Sequence, residues 1–366
     1  QTGLSRTAVS ALIDELSERG FLYDSGMGDS SGVGRKPNCL ELCAGNYYVA
    51  VFGWEETSVH AFLIDICGTT AMQLEKASSD SYARLCRSFL TGQILERIRP
   101  EQILGLCFVL PAMIDPEKEE VFSTTFPLDN DQGEAGVLPF LRSLFSDYAV
   151  AVLNDTACCA YAEKIYTGIR EKDYAFIQFS RGIGASLFIQ DKLLGQACAS
   201  YTQFGHFSIS PEGPPCPCGN RGCLEVVLSE ATLRNRLLEK GTTSSLLSRD
   251  AVRYEDLGRA SLYTDTAAVL VIKDLAGELA LALSNLICLV HPRLIVLGGK
   301  SVSLGPVFLE EIRRCLGETG FSRMTGSVKL RYSQLDSYAC YNGAMKYFFD
   351  THYQFTATMN GSFFIG

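Results

Sequence analysis

The apolar positions at the start of the chain predict a helix followed by a hairpin. Ser5 suits a helix N-cap, apolar residues recur three or four positions apart from Val9 to Leu16, and Gly20 suits the helix end. A short apolar run, a segment rich in glycine, serine and aspartate, and the alternating residues 39–42 follow. This order of helix, strand, flexible tip and strand is typical of the back half of a winged helix-turn-helix, whose first helices we expect to precede residue 1.

From residue 47 onward the pattern alternates between short apolar runs and longer segments of helical periodicity. Strands are predicted at 47–52, 58–66, 103–110, 148–153, 174–179, 185–189 and 294–297, and helices at 81–97, 137–145, 156–166, 266–290, from 306, and at 337–349. Such alternation predicts an α/β fold, here in two lobes with a cleft between them. Sites in α/β folds collect where strands end, so the strand ends carry the candidate chemistry.

Composition narrows the class of protein. The 366 residues are 47% hydrophobic and 20% charged, which indicates a globular chain and excludes a disordered or coiled-coil one. No uncharged apolar run reaches 18 residues and no signal-peptide pattern opens the chain, so we expect a cytoplasmic protein without a membrane partner. The net charge of −9 argues against a uniformly basic surface, but one small module can still bind nucleic acid.

The predicted amino-terminal module offers candidate DNA contacts. Polar and basic side chains lie off the apolar stripe near the helix start, and two basic residues lie at the hairpin tip; the candidates are Ser5, Arg6, Thr7, Ser10, Arg35 and Lys36. Segment 1–42 holds four basic and six acidic residues, which weakens the electrostatic case. A structural helix and hairpin with a solvated polar face therefore stays open as the alternative.

The strongest chemical signal is a cluster of one histidine and three cysteines, His206, Cys216, Cys218 and Cys223, punctuated by proline and glycine. Three thiolates and an imidazole suit four-coordinate Zn²⁺, and four filled positions make such a site structural rather than catalytic. The alternative is three free thiols on a loop. The chain has 14 cysteines, and those outside the cluster are interpreted as buried, reduced thiols.

Three weaker motifs follow predicted strands. Asn154-Asp155 lies between a strand and a helix, where the aspartate could act as a general base toward a hydroxyl or cap the helix. Gly182 and Gly184 form one glycine turn, and Gly298-Gly299 forms another. Such turns can admit a phosphate or an adenine, but each motif alone is better explained as a tight turn that binds nothing.

Taken together, these motifs resemble the ROK family, which comprises repressors, open reading frames and kinases. The resemblance rests on Gly205-His206, the knuckle from Cys216 to Glu225, Asn154-Asp155, and Leu294-Ile-Val-Leu-Gly-Gly299, and it covers about residues 1–350. The amino-terminal helix with its Gly-Arg-Lys-Pro tip is similar to the DNA-binding module of the repressor branch.

The resemblance implies a two-lobed, actin-like sugar-kinase (ribonuclease H-like) fold behind a partial winged helix-turn-helix. We assign residues 1–42 to the DNA-binding module and 46–350 to the kinase-like domain. That domain divides into a first lobe of about 46–155 plus 337–350, a second lobe of about 156–336 with the knuckle at 206–225, and a tail at 351–366.

The resemblance also assigns roles to residues. By position, Asn154, Asp155, His206 and Glu225 match sugar-contacting residues, and Gln203 replaces the glutamate of the family's Glu-x-Gly-His motif. Asp155 matches the catalytic base of the kinases. His206 and the three knuckle cysteines match structural zinc ligands. Gly182, Gly184, Gly298 and Gly299 match a nucleotide site.

One departure decides the predicted function. The family's kinases carry an Asp-x-Gly-Gly-Thr phosphate loop, and this chain has Gly53-Trp-Glu-Glu-Thr57 instead. Bulk from Trp54 and two acidic side chains oppose a triphosphate, so Mg-ATP is not expected to bind. We therefore predict a non-enzymatic regulator, most simply a repressor. It binds operator DNA as a homodimer or homotetramer and senses a sugar or sugar phosphate. An active ATP-dependent sugar kinase and a scaffold that does not bind DNA are the alternatives.

Overall fold

The chain divides into two compact units in a computed structural model. The structure describes residues 5–27, 38–78, 81–115, 120–124, 136–195, 202–240, 244–263, 265–336 and 338–352. The first unit comprises residues 1–161 and 340–366, and the second comprises residues 162–339. Arg35, Lys36 and Cys198 lie outside the described residues.

The strands form one five-stranded sheet in each unit and two separate hairpins in the first. They are β1 (Leu22–Met27), β2 (Asn38–Leu42), β3 (Tyr48–Trp54), β4 (Ser58–Asp65), β5 (Thr70–Ala77), β6 (Ile103–Leu110), β7 (Ala112–Asp115), β8 (Glu120–Thr124), β9 (Val150–Asn154), β10 (Tyr174–Phe179), β11 (Ile183–Ile189), β12 (Lys192–Leu193), β13 (Leu294–Gly299) and β14 (Lys329–Tyr332).

The helices alternate with these strands along most of the chain. They are α1 (Arg6–Glu18), α2 (Tyr82–Phe89), α3 (Val137–Leu144), α4 (Asp155–Tyr166), α5 (Leu224–Leu228), α6 (Glu230–Glu239), α7 (Tyr254–Leu262), α8 (Thr266–Val290), α9 (Gly305–Glu318), α10 (Ser322–Thr325) and α11 (Ala339–His352). The predicted α/β class is confirmed.

The sheet of the first unit has the order β5-β4-β3-β6-β9. β3 pairs antiparallel with β4 and parallel with β6, which in turn pairs parallel with β9. The strands β3 and β4 are almost entirely buried, which explains why both read as continuous apolar runs. Parallel strands end at the same edge of a sheet, so the turn after β3 and the start of α4 after β9 share one edge.

The sheet of the second unit repeats this arrangement with the order β12-β11-β10-β13-β14. Here β10 pairs antiparallel with β11 and parallel with β13, which places Phe179 opposite Gly299. The 25-residue helix α8 supplies much of the core beneath this sheet, with buried positions recurring along its inner face. The glycine turns after β10 and β13 therefore lie side by side.

The amino-terminal elements pack against the start of the first sheet. Phe21 stacks on Tyr47 with ring centroids 4.1 Å apart, and the Tyr47 hydroxyl donates to the Arg19 carbonyl at 2.6 Å. The Asn46 amide donates to the Gly20 carbonyl at 2.9 Å. Residues 46 and 47 therefore join the end of α1 to the sheet.

The structure differs from the sequence predictions at several elements: helices α6 and α7 and strands β5 and β14 have no predicted counterpart, and the helix predicted at 81–97 ends its α-helical part at Phe89. The edge strand β5 was missed because its side chains are mostly exposed and carry little apolar signal. The cysteines are not uniformly buried. Three cysteines are exposed: Cys39 lies on the hairpin strand β2, Cys67 in the turn after β4, and Cys288 on an outer face of α8. The expectation of buried thiols is therefore wrong for these three. Among the described residues, every helix is too short or too polar to span a bilayer.

Candidate functional site

The histidine and three cysteines of the knuckle converge in the second unit. Their ligand atoms all lie within 4.8 Å of one another. His206 Nδ1 is 3.6 Å from Cys216 Sγ, and the Sγ atoms of Cys218 and Cys223 are 3.6 Å apart. Tetrahedral zinc with ordinary Zn–S and Zn–N bonds separates its ligand atoms by about 3.5–3.8 Å. The residues present therefore fit a zinc ion.

Local backbone turns bring the four ligands together. Gly222 has a φ of +61°, and a Cβ there would lie 1.7 Å from the Ser210 carbonyl oxygen, so only glycine fits. Cys216 N–H donates to the Asn220 carbonyl at 2.8 Å, which closes the loop between the first two cysteines and the third. Burial raises the pKa of the Cys223 thiol to about 12, so a bound cation is what would hold this sulfur as a thiolate.

The knuckle leads directly into a carboxylate that reaches the first glycine turn of the second unit. Glu225 lies in the first turn of α5, two residues after Cys223. Its Oε2 accepts the backbone N–H of Ile183 at 3.0 Å. A Cβ on Gly182 would lie 2.1 Å from the same oxygen. The glycine is therefore required because Glu225 occupies the space above this turn.

The neighbouring turn after β13 is closed by an ion pair. Gly299 has a φ of +65°, and a Cβ there would meet the Phe179 carbonyl oxygen at 2.0 Å. Lys300 Nζ lies 2.9 Å from Glu230 Oε2, and Glu230 Oε1 accepts the N–H of Tyr254 at 2.9 Å. A cavity of about 120 Å³ remains, lined in part by Arg181, Glu225 and Lys300. Sequence reasoning missed Glu230, because the contacts that mark it lie 24 and 70 residues away along the chain.

Asn154 and Asp155 take different roles at the start of α4. Asn154 is the cap: its Oδ1 accepts Ala157 N–H at 3.1 Å, and its Nδ2 donates to the Ala112 carbonyl at 3.0 Å. Asp155 Oδ1 accepts Thr156 N–H at 2.7 Å, and burial raises the pKa of Asp155 to about 6. Because Asn154 caps the helix, capping does not explain why an aspartate stands at position 155.

The segment predicted to be an altered phosphate loop, residues 53–57, spans the end of β3 and the turn to β4, and its side chains differ in exposure. Trp54 is buried, stacks on Tyr82 at 5.2 Å and donates from Nε1 to Cys86 Sγ at 3.2 Å. The expectation that Trp54 would crowd a triphosphate is therefore wrong, because the indole packs into the interior of the first unit. Glu55 and Glu56 are exposed, and the expectation that their carboxylates repel a triphosphate requires this exposure.

This turn is held by its own neighbours. The Tyr82 hydroxyl donates to the carbonyls of Glu55 and Glu56, each at 2.9 Å. Glu55 Oε1 lies 3.5 Å from Nε2 of the buried His60. A Cβ on Gly53 would lie 2.2 Å from the Tyr341 hydroxyl, so the side chain of Tyr341 on α11 fills the space beside this glycine. No sequence motif marks His60 or Tyr341 as neighbours of this turn, because both contacts depend on tertiary packing.

The described part of the amino-terminal module has an exposed polar helix start. Ser5 caps α1, accepting Ala8 N–H at 3.2 Å, and Arg6, Thr7 and Ser10 are exposed. Apolar residues 9, 12, 13 and 16 are half-buried on the other side. The antiparallel hairpin β1–β2 follows.

The predicted sugar-contacting residues divide between the two units. Asn154 and Asp155 belong to the first. Gln203, His206 and Glu225 belong to the second, where Gln203 precedes the 3-10 turn Phe204–His206. A Cβ on Gly205 would lie 2.3 Å from the Ile183 carbonyl oxygen and 3.4 Å from Glu225 Oε2. The second-unit candidates thus surround one glycine.

Comparisons with known proteins agree with these features. The ROK family model matches residues 89–350. The xylose repressor of Bacillus subtilis (strain 168) is 24% identical, over 91% of this chain and 85% of its own. A crystal structure of a ROK family transcriptional regulator, homolog of the E. coli MLC protein, matches with a TM-score of 0.79 and 22% identity, over 94% of this chain and 88% of that one. The ROK family glucokinase from Streptomyces griseus, in complex with glucose and AMPPNP, has a TM-score of 0.65 and 20% identity, over 82% of this chain and 98% of that one.

The chain belongs to the ROK family. Its fold is the α/β fold that the family's sugar kinases and regulators share.

Proposed function

We propose that the chain is a ROK transcriptional repressor that binds operator DNA and responds to a sugar. The observation that best supports this proposal is the share of the chain that each likeness covers. The likeness to the regulator structure covers 94% of the chain, whereas the likeness to the glucokinase covers 82%. A repressor relative also spans 91% of the chain. A module such as α1 with the β1–β2 hairpin accounts for residues that a kinase does not need.

In this proposal the start of α1 reads DNA. Arg6, Thr7 and Ser10 project from the exposed side of the helix N-terminus, the part of a recognition helix that reaches base edges and phosphates. The tip residues Arg35 and Lys36 would contact phosphates or the minor groove. Operator half-sites at fixed spacing call for a symmetric dimer or tetramer.

The sugar would bind through the carboxylates and amides at the strand ends. Burial raises the pKa of Asp155 to about 6, and its carboxylate oxygens suit acceptance of a hydrogen bond from a hydroxyl. Gln203 and Glu225 offer further acceptor oxygens. The effector is a sugar or sugar phosphate, and each of these residues is a candidate hydrogen-bond partner for one of its hydroxyls.

Zinc would be structural and would orient His206. With Nδ1 facing Cys216, the metal would take Nδ1 and leave Nε2–H free to donate to a sugar hydroxyl. The same metal would hold the start of α5 and therefore Glu225. Zinc would thus support the sugar site without taking part in chemistry.

We further propose that the chain does not transfer phosphate. The exposed carboxylates of Glu55 and Glu56 stand where a phosphate cradle needs backbone N–H groups. Two like charges 4 Å apart repel by about 4 kcal/mol at an effective dielectric near 20. In the second unit, Glu225 and the Lys300–Glu230 pair occupy the two glycine turns.

A sugar kinase is the second candidate, favoured by the glycines that remain at residues 182, 298 and 299. Incubation with Mg-ATP and a panel of hexoses and amino sugars separates the two functions. Sustained sugar-dependent ADP release would establish the kinase. Its absence, together with sugar binding, is expected of the repressor.

DNA binding is tested by selecting genomic fragments with the purified protein and measuring affinity by fluorescence anisotropy at fixed salt. Arg6→Ala should weaken operator binding about tenfold, the loss of one base or phosphate contact. Arg97→Ala removes an exposed arginine in the kinase-like part and serves as the control. Absence of any enriched fragment would favour the scaffold alternative.

Sugar sensing is tested by a thermal-shift screen of sugars and sugar phosphates. A ligand at 100 times its Kd adds about 2.7 kcal/mol to the free energy of unfolding. Asp155→Asn should weaken the shift caused by the identified sugar and leave DNA affinity in its absence unchanged. An unchanged sugar response would place the sugar elsewhere.

A further inference from the structure

Two cysteines lie near the place where the amino-terminal module joins the first sheet. Cys43 directly follows β2, and its N–H donates to the Phe21 carbonyl at 2.9 Å, which ties it to the module. Cys67 is exposed in the turn between β4 and β5. Asp65 Oδ1 accepts the N–H groups of Cys67 and Thr69, each at 2.9 Å, so this turn is firmly clamped.

The turn that carries Cys67 lies against the end of β2, next to Cys43. Cys67 Sγ lies 3.9 Å from the Leu42 carbonyl oxygen. Standard peptide dimensions place that oxygen about 2.8 Å from the Cα of residue 43, so Cys67 Sγ lies within about 7 Å of Cys43 Cα. Disulfides hold their two Cα atoms about 4.4–6.8 Å apart, so closing the bond requires rotation of the Cys43 and Cys67 side chains and a shift of the backbone wherever their Cα atoms lie farther apart than this.

We propose that Cys43 and Cys67 form a thiol-oxidation site that converts to a disulfide and fastens the module to the first sheet. The oxidant is a low-molecular-weight disulfide such as glutathione disulfide. The Cys67 thiolate attacks one of its sulfurs, a glutathione thiolate leaves, and a mixed disulfide forms on Cys67. The Cys43 thiolate then attacks Cys67 Sγ and expels the second glutathione thiolate. Two protein thiols are oxidised and one disulfide is reduced to two thiols.

Accessibility decides the order of these steps. Cys67 is exposed and therefore meets the oxidant first, whereas Cys43 is half-buried and resolves the mixed disulfide. Burial and the charge of Asp65 raise the pKa of the Cys67 thiol. The thiolate fraction grows with pH, so the exchange should accelerate from neutral to alkaline solution.

The test uses the zinc-loaded full chain, incubated with glutathione disulfide, blocked with an alkylating agent and cleaved after glutamate. This cleavage places Cys39, Cys43 and Cys67 in separate peptides, 19–41, 42–55 and 57–75. Mass spectrometry should find 42–55 joined to 57–75, and thiol titration should show the loss of two thiols. Cys67 that carries only a glutathione adduct, or remains unmodified, would overturn the proposal.

Two serine variants complete the test. Cys43→Ser should abolish the joined peptides and leave the glutathione adduct on Cys67. Cys39→Ser removes an exposed thiol of the same hairpin and should leave the joined peptides unchanged. Hydrogen exchange of residues 6–18 should slow on oxidation of the wild type and not of Cys43→Ser. Equal exchange in both would refute the fastening of the module. None of these readouts depends on operator or sugar binding.

Discussion

The turn between β3 and β4 and the turn between β10 and β11 occupy the same place in two sheets of the same pattern. Each follows a strand that pairs antiparallel with the next strand and parallel with a later one. The first turn is filled by its own neighbourhood, with Trp54 buried beneath it and Glu55 facing His60. The second keeps its glycine and is covered by Glu225, a carboxylate from 42 residues away along the chain.

This difference shows two physical ways in which the space above such a turn can be filled. In the first unit, closure depends on side-chain burial and local hydrogen bonds. In the second unit it depends on one charged hydrogen bond, and the residue that makes it is positioned by the knuckle. The two closures should therefore respond to different perturbations.

The largest expected effect comes from removing one knuckle ligand. Cys223→Ser should release the zinc that we propose the knuckle binds and should free the start of α5, so Glu225 should lose its position over Gly182. Apparent binding free energies of structural zinc sites are about 10–16 kcal/mol, and losing one thiolate removes a large part of that. Elemental analysis and thermal unfolding report the loss, with Cys288→Ser, an exposed thiol on α8, as the control. A zinc-free wild type would contradict the metal assignment.

The next effect should come from emptying the space beneath the first turn. Trp54→Ala removes a fully packed indole and should lower the free energy of unfolding by about 3–5 kcal/mol. Urea denaturation followed by circular dichroism measures this. Phe321→Ala, at a ring that is 73% exposed, should change it by less than about 0.5 kcal/mol. Similar small losses in both variants would show that the indole does not hold the turn.

Removing the carboxylate over the second turn should cost less. Glu225→Ala leaves the N–H of the buried Ile183 without its acceptor, at about 1–3 kcal/mol. Glu225→Gln keeps an acceptor oxygen and should recover part of this. The same denaturation experiment compares the two, and equal losses would mean that the hydrogen bond to Ile183 N–H contributes little.

The smallest effect concerns pH and the first turn. The hydrogen bond and charge of Glu55 raise the pKa of His60, so the stabilisation is complete below the unfolded value of about 6.5 and is lost as pH rises through the higher folded value. Glu75 from β5 adds in the same sense, and Ser58 Oγ lies 3.1 Å from the ring nitrogen. Glu55→Gln should lower the free energy of unfolding near pH 6 by less than about 1 kcal/mol, since Glu55 is largely exposed.

The difference in the free energy of unfolding between wild type and Glu55→Gln should vanish near pH 9. Glu96→Gln, an exposed carboxylate outside the turn, should show no such pH dependence. A difference that persists at high pH would remove His60 from the explanation.

The knuckle was predictable because its four ligands lie within 18 residues and glycine marks the turns between them. The family and the α/β fold followed from such local motifs and from strand periodicity. The direction of Trp54 was not predictable, because the end of a strand buried on both faces gives no alternation to read. Sequence also left the roles of Asn154 and Asp155 open, and the hydrogen bond from Ala157 to Asn154 assigned the cap.

The amino-acid sequence by itself determined the family, most of the strands and helices, and the cluster of one histidine and three cysteines that could bind a metal. All of these are encoded by neighbouring residues. Tertiary structure alone decided that Glu225 covers Gly182, that Lys300 pairs with Glu230, and that Tyr341 closes the space beside Gly53. Such contacts join residues dozens to hundreds of positions apart, and only the packing of sheets and helices determines which of them meet.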